Sequence, residues 1–312
     1  MSEEHCHHDH CHHDEEELAS KYEQVFNQYD LHIHDEIVQE EVKNIIARHF
    51  EENNTNEIKK QIFGLVELTS LKVTDNEDSV LKLIEKVNHF SNENPDFPHL
   101  AGICVYPRFV AIAASSLEAD GVELGTVTGG FPSSQTFPEV KTIETALAVK
   151  DGATEIDTVL SVGYLLANDL EMVCDEIQEI KEICGEDRIL KVILETGALQ
   201  TAVNIKKAAL MAIYSGADFI KTSTGKIEPA ATPAAAYTMC KTIKEYYDKT
   251  GTKIGIKIAG GIKTAKQAVE YYTIVKEILG KDWLTPTLFR FGASSLANNL
   301  LSEITGSKVN YF

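Results

Sequence analysis

The chain has 312 residues, of which 43% are hydrophobic and 25% are charged, and this composition excludes a disordered or fibrous protein. Its 48 acidic side chains outnumber its 29 basic ones, and a surplus of negative charge repels the phosphate backbone, so we expect no nucleic-acid partner. The sequence contains no run of about 18 apolar residues and begins with a polar segment, which predicts neither a membrane span nor a signal peptide and favours a cytoplasmic protein.

The first 17 residues form an acidic tail that is rich in histidine and cysteine. The pentapeptide HCHHD occurs twice in succession, between His5 and Asp14, and three glutamates follow it. Because this segment has no apolar face to bury, we predict that it is disordered. Its imidazoles and thiols are able to bind Zn, Ni or Cu. We favour adventitious metal binding over a dedicated role in metal storage or delivery.

Residues 18–55 are predicted to form a helical extension, with Asp35 as the N-cap of a helix. Apolar residues recur there at a spacing of about four, which is typical of one face of a helix. They are Ile37, Val38, Val42, Ile45 and Ile46. This stripe must pack against another surface, which is either the main domain or a second subunit of a homo-oligomer.

Residues 56–312 are predicted to form the main domain, in which short β-rich runs alternate with helical segments. The eight β-rich runs are 63–71, 100–107, 122–131, 154–161, 189–196, 218–224, 253–261 and 287–292. Segments between them, such as 137–150, 165–184 and 265–280, have helical periodicity. Eight βα units in about 250 residues predict an α/β fold, a (β/α)8 TIM barrel. A doubly wound open sheet is the main alternative, which is disfavoured because no glycine-rich dinucleotide fingerprint follows the first strand.

The alternation of side chains along the predicted strands directs charged residues into the barrel. In the run KIGIKIAGG, Lys257 points to the barrel axis while the isoleucines face the helices. The same pattern points Lys221 inward from the preceding strand. The other inward charged residues are Glu155, Asp157, Lys191 and Glu195. They meet at the end of the barrel where such enzymes have their active sites, although an internal network of salt bridges is an alternative interpretation.

A lysine next to another cation is suited to covalent catalysis. At its ordinary pKa of about 10.4, a lysine amine is almost always protonated at neutral pH. A neighbouring positive charge and partial burial favour the neutral, nucleophilic amine. That amine forms a Schiff base with a carbonyl, and the imine accepts electrons when an adjacent C–C bond is made or broken. A carboxylate such as Asp157 is able to move the protons. The residues alone do not rank Lys221 above Lys257.

Glycines and serines at the ends of the last two strands indicate a phosphate site. Gly260 and Gly261 end strand seven, and the run FGASSL ends strand eight and opens a helix at Ser294 and Ser295. Exposed backbone N–H groups at these places form a phosphate site that recurs in such barrels. Lys226, in the loop after strand six, adds a cation. Glycines at strand ends also serve tight turns. The prediction of a phosphate site therefore depends on both the glycine pair and the serine pair occurring where they are expected.

Two further residue types bear on the site. His89 and His99 are the only histidines of the predicted barrel. They are not spaced as a ligand pair and we expect them at the surface, so we predict no metal-dependent aldolase or hydrolase. Cys104 points inward by strand alternation, and it either lines the pocket or fills the core as a small buried residue.

Six blocks of the sequence carry a family resemblance. They are AGICVYPRF, TEIDTVL, LKVILETGAL, GADFIKTSTGK, GIKIAGGIKTAKQA and FRFGASSL. In this order, from about Gly64 to the C-terminus, they resemble the deoxyribose-phosphate aldolase family, class I aldolases on a (β/α)8 barrel. The resemblance implies that Lys221 is the Schiff-base lysine, Lys257 the second lysine that keeps it neutral, and Asp157 the proton relay. It also implies a phosphate pocket formed by Gly225, Lys226, Gly260, Gly261, Ser294 and Ser295.

The chain departs from the usual family pattern at three positions. Glu67 stands where the first strand usually has Asp, and Ile258 and Lys263 stand where proline and arginine are common. Ile258 and Lys263 bear on the affinity for phosphate and not on the catalytic chemistry. The resemblance implies cleavage of a sugar phosphate, 2-deoxy-D-ribose 5-phosphate, without a cofactor. The alternatives are another Schiff-base aldolase or transaldolase on the same barrel, and a non-catalytic protein that binds a sugar phosphate or a metal.

Overall fold

The fold is a closed barrel of eight parallel strands surrounded by helices. A computed structural model describes residue 22 and residues 24–312, so the predicted disorder and metal binding of the tail lie outside the described residues. Each strand pairs in parallel with the next, and β8 pairs with β1. This confirms the predicted (β/α)8 barrel. The strands are β1 (Val66–Thr69), β2 (Gly102–Val105), β3 (Glu123–Thr128), β4 (Glu155–Val159), β5 (Ile189–Ile193), β6 (Phe219–Lys221), β7 (Gly255–Ala259) and β8 (Phe289–Ala293).

Helices cover the outside of the barrel, and apolar side chains between strands and helices form the main core. From residue 35 onward the helices are α1 (Asp35–Asn53), α2 (Asn56–Phe63), α3 (Glu77–Glu93), α4 (Val110–Ser116), α5 (Pro138–Lys150), α6 (Val162–Leu166), α7 (Leu170–Cys184), α8 (Thr196–Leu199), α9 (Ala202–Tyr214), α10 (Pro233–Thr250), α11 (Ala265–Leu279) and α12 (Leu296–Thr305). Among the described residues, no helix is long and apolar enough to cross a bilayer.

The helix boundaries follow local capping signals. Helices α5 and α11 agree with the predicted segments to within one residue at each end. The single helix expected over 165–184 is instead divided into α6 and α7. Asn168 has a positive φ of 62°, which a continuing helix does not allow. The side chain of Asp169 then caps α7 by accepting a hydrogen bond from the backbone N–H of Met172 at 3.3 Å.

Helix α1 of the extension packs on the barrel, against α10 and α11. Val38 and Val42 are buried, while Ile37 is exposed. The prediction that Asp35 caps this helix is wrong, because His34 is the N-cap and makes no side-chain capping bond. Asp35 Oδ1 instead accepts a hydrogen bond from the backbone N–H of Ala202 at 2.8 Å. Ala202 begins α9, so the carboxylate satisfies one of the free N–H groups at the start of a different helix.

Candidate active site

Four neighbouring strands direct charged side chains onto the barrel axis. Asp157 on β4 is the register partner of Lys191 on β5. Lys221 on β6 is the register partner of Lys257 on β7. Because partners in adjacent parallel strands point to the same face, these side chains share the barrel interior. A Cβ at Gly292 on β8 would lie 3.0 Å from Lys257 Cε, so this glycine leaves room for the lysine chain.

The carboxylate of Asp157 brings the lysines together. Its Oδ2 atom accepts hydrogen bonds from Lys221 Nζ and from Lys257 Nζ, each at 2.6 Å. Its Oδ1 atom lies 3.3 Å from Lys191 Nζ. Asp157 and Lys257 are fully buried, and Lys221 is 3% exposed. One oxygen therefore bridges the two lysines that the sequence directs to the pocket mouth.

A further group of ion pairs adjoins this carboxylate. Lys257 Nζ donates to Glu67 Oε1, and Lys191 Nζ donates to Glu155 Oε2 at 2.5 Å. Arg290 Nη2 donates to Glu155 Oε1 at 2.8 Å. We call the seven residues that share these contacts the charged cluster. They are Glu67, Glu155, Asp157, Lys191, Lys221, Lys257 and Arg290.

Sequence reasoning missed Arg290 and did not place Glu67 in the charged cluster. The signal for Arg290 was present, because it alternates with Gly292 along β8 and therefore points inward. Glu67 is the position where the family usually has Asp. In this structure its longer side chain reaches Lys257 directly. The departure thus contributes an ion pair inside the barrel.

Electrostatics fix the charge states around Asp157. Burial favours the neutral form of this acid, but Lys221, Lys257 and Lys191 outweigh it and hold the pKa of Asp157 well below its usual range. Burial also opposes the charge on Lys257, yet Asp157 and Glu67 outweigh it and raise the pKa of Lys257. At neutral pH, Asp157 is therefore a carboxylate and Lys257 an ammonium.

The phosphate residues predicted from the sequence line one cavity with Lys221. This cavity has a volume of about 230 Å³ and opens at the carboxyl end of the barrel. Lys72 and Lys263 line it as well and add positive charge. Lys72 was missed, because its place depends on the conformation of the loop after β1. The predicted residues on its wall are Gly225, Lys226, Gly260, Gly261, Ser294 and Ser295.

Glycine backbone forms part of the wall of this cavity. Gly225, Gly260 and Gly261 have positive φ angles of 74°, 95° and 78°, which glycine adopts without strain. Helix α12 begins one residue after its N-cap, Ser295, which lines the cavity and whose side chain makes no capping bond, so no side chain caps the first N–H groups of this helix. Lys226 Nζ donates to the carbonyl of Leu71 at 2.5 Å and thereby connects the loops after β6 and β1.

Other predicted residues do not line this cavity. Cys104 is fully buried in a small apolar cluster with Leu71 and Val127, and burial raises the pKa of its thiol to about 12. Its Sγ lies within 4.8 Å of carboxylate oxygens of Glu67 and Asp157, next to the charged cluster, and its role at the pocket stays a prediction. His89 and His99 are exposed. Glu195 is not in the charged cluster. Its carboxylate accepts hydrogen bonds from the N–H of Thr224 at 3.3 Å and from its hydroxyl at 2.5 Å, which fixes the start of the loop after β6.

A larger cavity, of about 520 Å³, lies between α1 and the loops after β5 and β6. Among the described residues that line it there is no lysine, arginine or histidine. It therefore offers neither a nucleophilic amine nor a cation for a phosphate. The smaller cavity beside Lys221 has both, and it is the candidate active site.

Known proteins share this sequence and fold. A family model described as DeoC/LacD family aldolase matches residues 69–300. The chain is 40% identical over 249 residues to deoxyribose-phosphate aldolase from Homo sapiens, with 77% of this chain and 78% of that protein covered. It is 45% identical over 206 residues to deoxyribose-phosphate aldolase from Mus musculus, with 65% and 64% covered.

Solved structures share the barrel. The structure titled QR15, an Aldolase, superposes with a TM-score of 0.61 at 26% identity and covers 78% of this chain and 96% of its own. The deoxyribose phosphate aldolase from Aeropyrum pernix superposes with a TM-score of 0.64 at 23% identity, covers 84% and 97%, and shows likeness of fold alone. From the match of the family model over most of the barrel and the identity to the mammalian enzymes, the chain belongs to the DeoC/LacD family of aldolases.

Proposed function

We propose that this aldolase catalyses the reversible cleavage of 2-deoxy-D-ribose 5-phosphate to D-glyceraldehyde 3-phosphate and acetaldehyde, through a Schiff base at Lys221. The observation that carries the proposal is the bridge that Asp157 Oδ2 makes between Lys221 and Lys257, beside a cavity lined by glycines, serines and lysines. The identity to mammalian deoxyribose-phosphate aldolases supports the choice of substrate.

The charge balance of the cluster favours Lys221 as the nucleophile. The cluster contains four bases and three carboxylates, so it becomes electrically neutral when one base releases its proton. Lys257 contacts two carboxylates and Lys191 contacts three. Within the described residues, Lys221 has a single carboxylate contact, to Asp157. Loss of charge at Lys221 therefore breaks the fewest ion pairs, and Lys221 is the residue that reaches the cavity.

The proposed reaction begins with attack of the neutral Lys221 amine on the C1 aldehyde of the open-chain sugar. The resulting carbinolamine loses water and becomes a protonated imine. A base then removes the proton of the C3 hydroxyl, the C2–C3 bond breaks, and its electrons move into the imine to form an enamine. D-Glyceraldehyde 3-phosphate leaves. Protonation of C2 and hydrolysis of the imine release acetaldehyde and regenerate the amine.

Asp157 and Lys257 have separate roles in these steps. The Asp157 carboxylate touches Lys221 Nζ and remains ionised at neutral pH, so it accepts and returns protons, directly or through a water. The buried Lys257 ammonium places a permanent positive charge next to the reacting amine. This charge stabilises the oxygen of the carbinolamine.

The phosphate anchors the substrate at the other end of the cavity. The N–H groups at the start of α12 and the backbone of Gly260 and Gly261 are the expected donors. Lys72, Lys226 and Lys263 surround this end of the cavity and neutralise the charge of the phosphate. A compact cavity of about 230 Å³ suits a five-carbon sugar phosphate. We propose that this reaction serves the catabolism of deoxyribonucleosides, as the resemblance implies.

Borohydride reduction tests the covalent step. Reduction in the presence of deoxyribose 5-phosphate should add the substrate fragment irreversibly to Lys221, which mass spectrometry of proteolytic peptides locates. Lys221→Ala should abolish both the adduct and the activity. Lys226→Ala is the matched control, because Lys226 lines the same cavity and its variant should still form the adduct at saturating substrate. An adduct on another lysine, or full labelling of the Lys221→Ala variant, would refute the assignment.

The same experiment separates the remaining alternatives. A non-catalytic sugar-phosphate-binding protein would give no adduct at all. Another Schiff-base aldolase or a transaldolase would also give the adduct. In the reverse direction, however, its preferred nucleophile would carry a dihydroxyacetone unit. Acetaldehyde as the nucleophile that condenses with D-glyceraldehyde 3-phosphate is the result that supports the proposed reaction.

A further inference from the structure

Glu195 follows β5 in a backbone conformation that is rare for a residue with a side chain. It has a φ of 56° and a ψ of 60°, in the left-handed region that residues other than glycine enter at a cost in free energy. Backbone hydrogen bonds to β6 and its loop flank it on both sides. The N–H of Leu194 donates to the carbonyl of Lys221 at 2.9 Å. The N–H of Thr196 donates to the carbonyl of Thr222 at 2.9 Å. The chain therefore keeps a strained residue beside the strand that carries the proposed nucleophile.

The side chain of Glu195 is buried against the loop after β6. It is 5% exposed, and its two carboxylate oxygens accept hydrogen bonds from the N–H and the hydroxyl of Thr224 at 3.3 Å and 2.5 Å. Burial outweighs these hydrogen bonds and the attraction of Lys221, and it raises the pKa of Glu195. Because a buried carboxylate is costly unless its oxygens are hydrogen-bonded, the contact restrains Thr224 as firmly as it restrains Glu195.

Thr224 begins the turn that forms one wall of the candidate active site. Its hydroxyl oxygen, which donates to Glu195, also accepts a hydrogen bond from the N–H of Lys226 at 3.1 Å. This local bond closes the turn around Gly225, whose φ of 74° glycine adopts without strain. Thr224, Gly225 and Lys226 all line the cavity of about 230 Å³ beside Lys221. One hydroxyl therefore connects the Glu195 carboxylate to the backbone of the expected phosphate site.

The loop after β6 also touches the residues after β5 at a second place. A Cβ at Gly197 would lie 1.9 Å from the carbonyl oxygen of Pro229, so the two backbones are in direct contact there. Between these two contacts, Gly225 and Lys226 are exposed. Loss of the Glu195 carboxylate would free the start of this loop while β6 itself remained paired with β5 and β7.

We propose that Glu195 is a positioning residue for the phosphate of the substrate, because it holds Thr224 and thereby the backbone of Gly225 and Lys226. The inference rests on the proposed function, since the ligand is the phosphate of the proposed substrate. Glu195 does not itself line the cavity, so it acts on the phosphate only through the turn. Since strand pairing holds Lys221 independently, loss of the carboxylate should weaken substrate binding much more than it slows turnover.

Steady-state kinetics of the cleavage test this role. Glu195→Met keeps the length of the side chain and removes both acceptor oxygens. It should raise the KM for 2-deoxy-D-ribose 5-phosphate about tenfold and change kcat by less than about twofold. Glu195→Gln retains an amide oxygen as an acceptor for the Thr224 hydroxyl, so its KM should stay within about twofold of the wild-type value. With unphosphorylated deoxyribose, both variants should behave like the wild-type chain.

Glu144→Met is the matched control. Glu144 Oε2 accepts a hydrogen bond from the N–H of Gly130, in the loop after β3, at 3.0 Å. Neither residue lines the cavity beside Lys221. This variant removes a carboxylate that restrains a different loop, and it should leave the KM for the phosphorylated sugar unchanged.

Titration with inorganic phosphate tests the role of Glu195 without the reaction. Isothermal titration calorimetry of the full chain should show binding about tenfold weaker in Glu195→Met and close to wild type in Glu195→Gln. Circular dichroism establishes that the variants are folded. If the wild-type chain binds phosphate but does not cleave the sugar, the proposed function fails, and the titration still decides the role of Glu195.

A Glu195→Met variant with wild-type phosphate affinity would overturn the inference, and so would a wild-type chain that binds no phosphate. Equal losses in Glu195→Gln and Glu195→Met would also overturn it, because the effect would then follow the charge of Glu195 and not its hydrogen bonds. An equal rise in the KM for deoxyribose with and without phosphate would indicate a general effect on the sugar and would contradict the inference as well.

Thr224→Val tests the same connection if Glu195→Met does not fold. Loss of the hydroxyl should raise the KM for the phosphorylated sugar and weaken phosphate binding. Adding Glu195→Gln to Thr224→Val should have no further effect, because residues that act through one contact are not additive. A second loss of similar size would show that Glu195 acts independently of Thr224 and would overturn the inference.

Discussion

Replacing Asp157 by Asn tests whether one carboxylate holds the charged cluster together. The amide has nearly the same shape, so the variant removes charge while leaving the packing unchanged. Asp157 Oδ2 lies 2.6 Å from both Lys221 Nζ and Lys257 Nζ, and Oδ1 lies 3.3 Å from Lys191 Nζ. The substitution therefore leaves four bases with two carboxylates inside the barrel.

The expected loss of stability follows from this burial. Removing one partner of a buried ion pair costs about 3–5 kcal/mol, because the remaining charge is left without compensation. We expect a decrease of about 3 kcal/mol in the free energy of unfolding, at the lower limit of this range. Turnover should fall by about 100-fold to 10,000-fold, because the amide cannot relay protons.

Urea denaturation followed by circular dichroism measures the stability, and Glu303→Gln provides the control. Glu303 also lies 2.6 Å from a lysine nitrogen, that of Lys59, but its side chain is 47% exposed. This control should lose less than about 1 kcal/mol. An Asp157→Asn variant that is as stable as the control would refute the stabilising role of the buried carboxylate. Combining Asp157→Asn with Lys257→Met should restore part of the loss, because it removes the uncompensated ammonium.

The pH dependence gives an independent measure. The carboxylates raise the pKa of Lys257 in the folded wild-type chain, so the stability that this lysine contributes is complete below about pH 10.4 and is lost only above it. In the Asn variant the buried ammonium groups are destabilised, and a rise in pH removes their charge. The difference in stability between wild type and variant should therefore shrink between pH 7 and pH 9.5. A difference that grows over this range would contradict the electrostatic account.

Three other outcomes are expected. Lys257→Leu should greatly reduce the rate at neutral pH and recover part of it at higher pH, where Lys221 becomes neutral without a neighbouring cation; an unchanged pH–rate profile would argue against this role. Ser295→Asp should raise the KM for the phosphorylated sugar by placing a negative charge at the start of α12. An equal rise in the KM for unphosphorylated deoxyribose would show that the phosphate does not bind there. Deletion of residues 1–17 should leave aldol cleavage unchanged with or without a chelator, because every proposed catalytic group lies in the barrel. Titration of Zn or Ni into the full-length and truncated proteins reports whether the deletion lowers only the number of metal ions bound.

Sequence patterns do not predict contacts between segments that are far apart in the chain. Strand alternation is a local property, and it was enough to point Lys221, Lys257 and Asp157 into one interior. The contact of Glu67 with Lys257 joins β1 to β7, and it depends on the register of the closed barrel. Periodicity is misleading for α5, where it would assign Val140 and Ile143 to the core. Only the buried partners of Lys141 reverse that assignment.

The position of α1 has a consequence for the order of folding. This helix is made early, yet Asp35 bonds to Ala202, 167 residues later, and Asn53 bonds to Thr273, 220 residues later. During synthesis the helix emerges from the ribosome long before either partner exists, and its apolar side remains uncovered until α10 and α11 are complete. Docking of α1 is therefore a late event with a large loop-closure entropy. Until then Val38 and Val42 remain uncovered on the nascent chain, and apolar surface that is exposed in this way promotes aggregation.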